Sequence, residues 1–151
     1  MIYNPKVAVI VLNYNRSNHT IECINSLLNI HYDNYRILVV DNCSTDESFK
    51  ILKKEYKQLD VIQTPENMGY TGGVNYGIKY LLKHEYHYIL NINNDTIVEP
   101  DFLGKLVEAA KKDIDIAITC GTILCEHNRE ITWYGPGKMV NWRGVAIHIN
   151  K

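Results

Sequence analysis

The sequence predicts an α/β fold, a three-layer α/β/α arrangement around a mostly parallel central sheet. Two observations carry this expectation. Short apolar runs rich in β-branched residues, Val7 to Leu12 and Ile37 to Val40, suit strands buried on both faces. Segments with helical apolar spacing alternate with these runs, as in successive βαβ units. The chain has 151 residues, 46% of them hydrophobic and 22% charged, which is enough apolar material for the core of one domain spanning 1–151.

The elements follow in order. Val7 to Leu12 is the first strand, and Asn13-Tyr14-Asn15 is the polar turn after it. Ser17 or Asn18 is the expected cap of a helix whose apolar residues are Ile21, Ile24, Leu27 and Leu28. Arg36 to Val40 is the second strand, closed by Asp41-Asn42. Ser44 and Glu47 have capping-box spacing and predict a helix to about Lys57. Val61 to Gln63 is a short strand ended by Pro65. A glycine-rich loop, Asn67 to Gly73, leads into a helix through Val74, Ile78, Leu81 and Leu82. A fourth strand begins at Tyr86 and reaches Asn93-Asn94-Asp95. Pro100 and Asp101 suit the first turn of a helix to about Lys112. Ile114 to Leu124 contains an expected fifth strand. Residues 131–151 carry glycines and both tryptophans without helical period, and read as a hairpin or irregular extension.

Composition excludes several classes. With 16 Lys+Arg against 17 Asp+Glu the formal charge is −1, which disfavours a nucleic-acid binder. Lys53-Lys54 and Lys111-Lys112 read as solvated helix faces. No apolar run approaches the roughly 20 residues of a transmembrane helix, and Met1 to Lys6 lacks the pattern of a signal peptide. The expected location is cytoplasmic, including a peripheral position at the inner face of the membrane. Cys23, Cys43, Cys120 and Cys125 fit reduced thiols, and neither Cys120/Cys125 nor His84/His87 has the partners or spacing of a zinc site.

In a parallel sheet all carboxyl ends lie on one edge, where ligands of such folds bind. Here those ends are polar four times over: Asn13-Tyr14-Asn15, Asp41-Asn42, the run from Glu66-Asn67 into the glycines, and Asn93-Asn94-Asp95. Each has two readings. Tyr14 is a core wall or a base-stacking ring. Asp41-Asn42 is a turn into a helix or an acceptor for a nucleotide. Gly69, Gly72, Gly73 and Gly77 serve tight packing or close approach to a ligand. Asp95 closes an Asx turn or holds Mg²⁺ or Mn²⁺, hard cations that take oxygen ligands and bridge to phosphates. The glycine spacing is not G-x-G-x-x-G, so a dinucleotide oxidoreductase is not expected.

Together the blocks Val-Ile-Val-Leu-Asn-Tyr-Asn (9–15), Val-Val-Asp-Asn-Cys-Ser-Thr-Asp (39–46), Asn-Met-Gly-Tyr-Thr-Gly-Gly-Val-Asn-Tyr-Gly (67–77) and Leu-Asn-Ile-Asn-Asn-Asp-Thr-Ile-Val-Glu-Pro-Asp-Phe-Leu (90–103) resemble family 2 of the nucleotide-sugar glycosyltransferases, near its rhamnosyltransferase-like branch. The resemblance implies a GT-A, Rossmann-like fold and sugar transfer with inversion, from a nucleoside-diphosphate sugar to a hydroxyl of a glycan or lipid-linked acceptor. It implies that Leu12, Asn13, Tyr14 and Asn15 line the base pocket and that Asp41 contacts the base. It also implies that Asn67, Gly72 and Asn75 lie along the nucleotide sugar. Asn93-Asn94-Asp95 takes the place of the Asp-x-Asp motif, with Asp95 as the metal ligand and Asn93 where the family has its first acid.

The resemblance further implies a catalytic base downstream of the segment matching Ile131 to Gly144, beyond Lys151. Asp101, Asp113 and Asp115 do not match its position. The chain is therefore expected to hold the donor-binding half without the acceptor half. The alternative function is a non-catalytic nucleotide-sugar-binding or assembly module. An incomplete sheet would expose apolar surface, so self-association is expected.

Overall fold

The computed structural model describes residues 4–135, 137–140 and 145–148. β1 (Val7–Asn13), β2 (Tyr35–Asp41), β3 (Asp60–Gln63) and β4 (Tyr88–Asn93) form one parallel sheet in the order β3-β2-β1-β4. The crossovers are helical: α1 (Ser17–Leu28), α2 (Ser48–Glu55) and α3 (Gly69–Leu81), with α4 (Phe102–Ala110) following β4. The expected three-layer α/β/α architecture is thus present.

Alternation along β1 explains the layers. Ala8, Ile10 and Leu12 join Leu38, Val40 and Leu81 in a buried cluster on the face that α3 covers. Val7, Val9 and Val11 are buried on the other face, toward α1, whose Cys23, Ile24 and Leu27 are fully buried. Burial on both sides is why β1 and the end of β2 read as unbroken apolar runs. Leu52 is α2's buried anchor, and the Tyr56 hydroxyl after it donates to the backbone oxygen of Ile21 at 3.2 Å, fastening α2 to α1.

α3 approaches the sheet through glycine. A Cβ on Gly77 would stand 2.9 Å from Val40 Cγ2, and one on Gly73 would stand 2.5 Å from Leu12 Cδ1. Of the two readings of these glycines, close helix–strand packing accounts for Gly73 and Gly77.

Several local expectations need correction. The glycine-rich stretch is not a loop as far as Gly73, since α3 starts at Gly69, the residue whose φ of +67° favours glycine. Neither Ser17 nor Asn18 caps α1, whose N-cap is Arg16 with no side-chain cap bond. The capping box of Ser44 and Glu47 does not form, and α2 starts at Ser48. Ser44's hydroxyl donates to Asp41 Oδ2 at 2.6 Å, so it is engaged by a buried carboxylate. The start of α2 is instead held by Asp46, which accepts the Ser48 backbone N–H at 2.9 Å. The Ser48 hydroxyl and backbone N–H hold the Asp46 carboxyl below its ordinary range.

By internal contacts the chain forms two compact units, Met1–Gly104 and Lys105–Lys151. In the second unit, β5 (Ile123–Leu124) pairs antiparallel with β6 (Thr132–Tyr134), and β7 (Gly137–Val140) pairs antiparallel with β8 (Val145–His148). The β7–β8 pair lies in 131–151, the segment expected as a hairpin or irregular extension, of which 136, 141–144 and 149–151 are outside the described residues. The fifth strand shrinks to Ile123–Leu124. Residues 114–122 form no strand, and Ile114 and Ile118 are 98% and 87% exposed. Alternation of apolar and polar residues licenses a strand only where a partner edge is available. Among the described residues no helix is long and apolar enough to cross a membrane.

Candidate functional site

The strand order reverses direction between β1 and β4. From β1 the chain builds outward to β2 and β3, then returns to place β4 on β1's other side. The crevice outside the carboxyl ends at such a switch point is where this kind of sheet binds ligands. Register brings the four polar clusters to this edge. Asn13 pairs with Asp41, Asp41 with Gln63, and Leu12 with Asn93. Tyr14 and Asn15 follow Asn13, and Asn94 and Asp95 follow Asn93, so all lie on one rim.

Asp41 is the hub. Its carboxylate is fully buried and accepts four hydrogen bonds. Oδ2 accepts from Asn13 Nδ2 at 2.7 Å and from the Ser44 hydroxyl at 2.6 Å. Oδ1 accepts from the Ser44 backbone N–H and from Gln63 Nε2, each at 2.9 Å. The carboxylate expected to face a base is thus met by protein donors, and the exposed group next to it is the Gln63 side chain.

The network runs on across the sheet. Asn13 Oδ1 accepts from the Thr20 hydroxyl at 2.7 Å, and Thr20 Oγ1 accepts from Asn94 Nδ2 at 2.9 Å. Asn94 after β4 is therefore joined to Asp41 on β2 through two side chains. Asn15, with φ of 53°, ties the two neighbouring loops together. Its backbone N–H donates to Ser44 Oγ at 2.9 Å, and its Oδ1 accepts from Thr45 N at 2.7 Å. No buried side-chain polar atom among the described residues lacks a partner. A fully satisfied buried network is rigid, which suits a site that must hold its shape before a ligand arrives.

Asn42 fixes the entry to α3. Its amide donates to Asn67 Oδ1 at 3.0 Å and to the Gly69 oxygen at 3.1 Å, while its Oδ1 accepts from Met68 N at 3.0 Å. Asn67 and Asn75 are exposed, and Gly72 lies in the first turns of α3 against Met68. Tyr14 is 41% exposed, so it is not a core wall.

Asp95 is exposed at the rim, beside the buried thiol of Cys23. Burial, reinforced by the Asp95 charge, pushes the Cys23 thiol up to about 12. With no thiolate at neutral pH and no exposed surface, Cys23 is expected to resist iodoacetamide at pH 8 in the native protein and to react once unfolded. Native labelling of Cys23, located by peptide mass analysis, would contradict this burial.

Among the described residues no cluster of three or more His, Cys, Asp or Glu side chains is placed to hold a metal ion. A hard divalent cation takes six or more oxygens, several of which a diphosphate and water can supply. One exposed carboxylate among amides therefore fits a cation held jointly with such a ligand, and does not fit a cage made by protein alone.

Thr20, Ser44, Gln63, Tyr70 and Asn91 belong to this rim, and all but Gln63 escape a reading by strand ends. Thr20 sits in a helix, Ser44 resembles a cap, and Asn91 lies inside a strand. Gln63, the last residue of β3, carried the positional signal that would have found it.

Comparison with known proteins agrees with this fold. A poly(ribitol-phosphate) beta-glucosyltransferase of Bacillus spizizenii is 30% identical over 145 residues, covering 93% of this chain and 20% of the relative. The structure of S. aureus TarS 1-349 in complex with UDP-GlcNAc superposes with a TM-score of 0.60 at 27% identity, covering 71% of this chain and 31% of that one. The mannosyltransferase PcManGT of Pyrobaculum calidifontis, in complex with GDP-Man and Mn2+, shares the fold at a TM-score of 0.67 and 20% identity, covering 82% and 36%. The chain spans less than half the length of the curated relatives it matches. Residues 8–144 match the profile of glycosyl transferase family 2. With a parallel sheet of GT-A type and its polar rim at the switch point, the chain belongs to glycosyl transferase family 2.

Proposed function

We propose that this chain is the donor-binding part of an inverting glycosyltransferase. It would move a sugar from a nucleoside-diphosphate sugar to a hydroxyl of a glycan or lipid-linked acceptor, in the cytoplasm. The observation that supports the proposal is the register that sets the ends of β1, β2, β3 and β4 on one edge, with Tyr14 and Asp95 in the residues just after β1 and β4, and the Asn94–Thr20–Asn13–Asp41 hydrogen-bond chain beneath.

In this reading Tyr14 and Asn15 line the nucleoside, with the exposed Tyr14 ring stacking on its base, while Leu12 and Asn13, expected beside them, are buried and support the loop from within. Asp41 acts at the same end by orienting Asn13, Ser44 and Gln63. Asn67, Gly72 and Asn75 flank the nucleotide sugar. Asn93, Asn94 and Asp95 serve the diphosphate, and Asp95 would hold Mg²⁺ or Mn²⁺. Such a cation, when bound, offsets charge on the departing diphosphate. Inversion follows from a single displacement. The acceptor oxygen bonds to the anomeric carbon as the bond from that carbon to the diphosphate oxygen breaks, and the acceptor proton passes to a base. We assign that base to the part of the family's length that this chain does not span. The residues here bind and orient, so their contribution is positioning and electrostatics.

Calorimetric titration with UDP, GDP and dTDP, with Mn²⁺ or with EDTA, tests the proposal. The Asp95→Ala variant is expected to lose about tenfold or more of the Mn²⁺-dependent affinity with an unchanged melting temperature, because Asp95 is exposed. An Asp95→Ala protein with undiminished metal dependence would remove Asp95 from the site. Donor binding without donor hydrolysis or transfer would favour the non-catalytic nucleotide-sugar-binding module.

A further inference from the structure

Tyr70 lies in the first turn of α3 and is 53% exposed, yet its hydroxyl is committed on two sides. It accepts from Asn91 Nδ2 at 2.7 Å and donates to Asn93 Oδ1 at 2.9 Å. Asn91 and Asn93 are two apart on β4 and so share one face of the strand. A phenol has a single hydroxyl hydrogen, and here it goes to Asn93.

That bond decides what position 93 can offer. A carboxamide has one oxygen and one NH₂ group. The oxygen is held by Tyr70. Among the described residues nothing accepts from Asn93 Nδ2, and the side chain is exposed at the rim. The free face of Asn93 is thus a hydrogen-bond donor. Divalent cations take oxygen ligands, and anionic oxygens take N–H donors.

We infer that Tyr70 is a positioning residue that makes Asn93 a donor toward the oxygens of a nucleoside diphosphate, leaving the cation to Asp95. The inference rests on the donor-site reading above and deepens it. A carboxylate at 93 would repel a diphosphate lacking its cation, whereas an oriented NH₂ attracts it with or without one. Binding energy from position 93 is therefore independent of metal.

The test uses the full chain, with UDP, GDP and dTDP titrated in EDTA and in MnCl₂. Tyr70→Phe keeps the ring and removes the hydroxyl. It is expected to weaken binding about three- to tenfold in EDTA, and by the same factor in Mn²⁺, so that the ratio of the two affinities is unchanged. Asn93→Asp puts an oxygen in place of the NH₂. It is expected to weaken binding in EDTA and to raise that ratio. Circular dichroism establishes that both variants fold. A Tyr70→Phe protein whose Mn²⁺-to-EDTA ratio falls would make Asn93 Oδ1 a cation ligand and overturn the inference. Unchanged affinity in both buffers would overturn it too. If the unaltered chain binds none of the three diphosphates in either buffer, the donor-site reading itself fails and the inference fails with it.

Discussion

Replacing Asp41 by alanine is expected to destabilise the protein by about 3 kcal/mol, lowering the melting temperature by about 10 °C, and to weaken nucleoside diphosphate binding even in EDTA. The carboxylate is fully buried and collects four donors from three residues on β1, β3 and the β2–α2 loop. Removing it strands those donors. Asn13 Nδ2 keeps only the 3.1 Å bond to Ser44 Oγ. The Ser44 backbone N–H loses its acceptor, and Ser44 in turn holds Asn15. Loops that carry the proposed nucleoside contacts would then lose their common anchor, which is why stability and affinity should fall together. Asp41→Asn separates charge from shape. It retains one acceptor oxygen but sets an NH₂ against the Asn13 NH₂, so an intermediate loss is expected. Calorimetric melting of the three proteins beside diphosphate titration measures this. An Asp41→Ala protein as stable as the parent would mean that the network does not organise the rim.

Gly77→Val is expected to cost about 3 kcal/mol, at the upper end for overpacking a tight core. A Cβ there already stands 2.9 Å from Val40 Cγ2 and 3.4 Å from two carbons of Ile10, both in fully buried residues at the centre of the sheet. Two further methyl groups have no space unless α3 lifts away. One turn earlier, Gly73 would place a Cβ 3.3 Å from Asn42 Cγ, the amide that pins the start of α3. Lifting the helix therefore disturbs the rim as well as the core. Gly104 is the internal control. A Cβ there meets nothing within 4 Å, so Gly104→Ala in α4 is expected to stabilise by about 0.5–1 kcal/mol through helix propensity alone. Chemical denaturation of both variants gives the two signs. Equal effects at the two positions would rule out close packing of α3 as the reason for Gly77.

The comparison of sequence with structure is most instructive at single side chains. Ser44 and Glu47 have the spacing of a capping box, but hydrogen-bonding groups go to the strongest partner in reach. The Ser44 hydroxyl donates to the buried Asp41 carboxylate and accepts from Asn13 Nδ2 and the Asn15 N–H, so both of its lone pairs are used and none serves the start of α2. The glycines of 69–73 look like a loop because their composition opposes helix formation. Packing against Leu12, Val40 and Ile10 overrides that cost, since only glycine lets α3 come so close. Ile114 to Thr122 alternates like a strand and pairs with nothing among the described residues, because alternation says nothing about whether an edge is available. Tyr70 and Thr20 carry no local signal at all. Each matters because another element stands within 3 Å of its hydroxyl.

By itself the sequence determined the layer order, the parallel sense of the sheet and the edge on which the polar groups collect. These follow from which residues are apolar and how often helices interrupt them, information that is local and additive. The tertiary structure alone decided how the groups on that edge are wired: a covered Asp41, an exposed Tyr14, an Asn93 turned by Tyr70. Hydrogen bonds depend on distances of a few tenths of an ångström between residues up to 74 positions apart, and no periodicity in a chain encodes those distances.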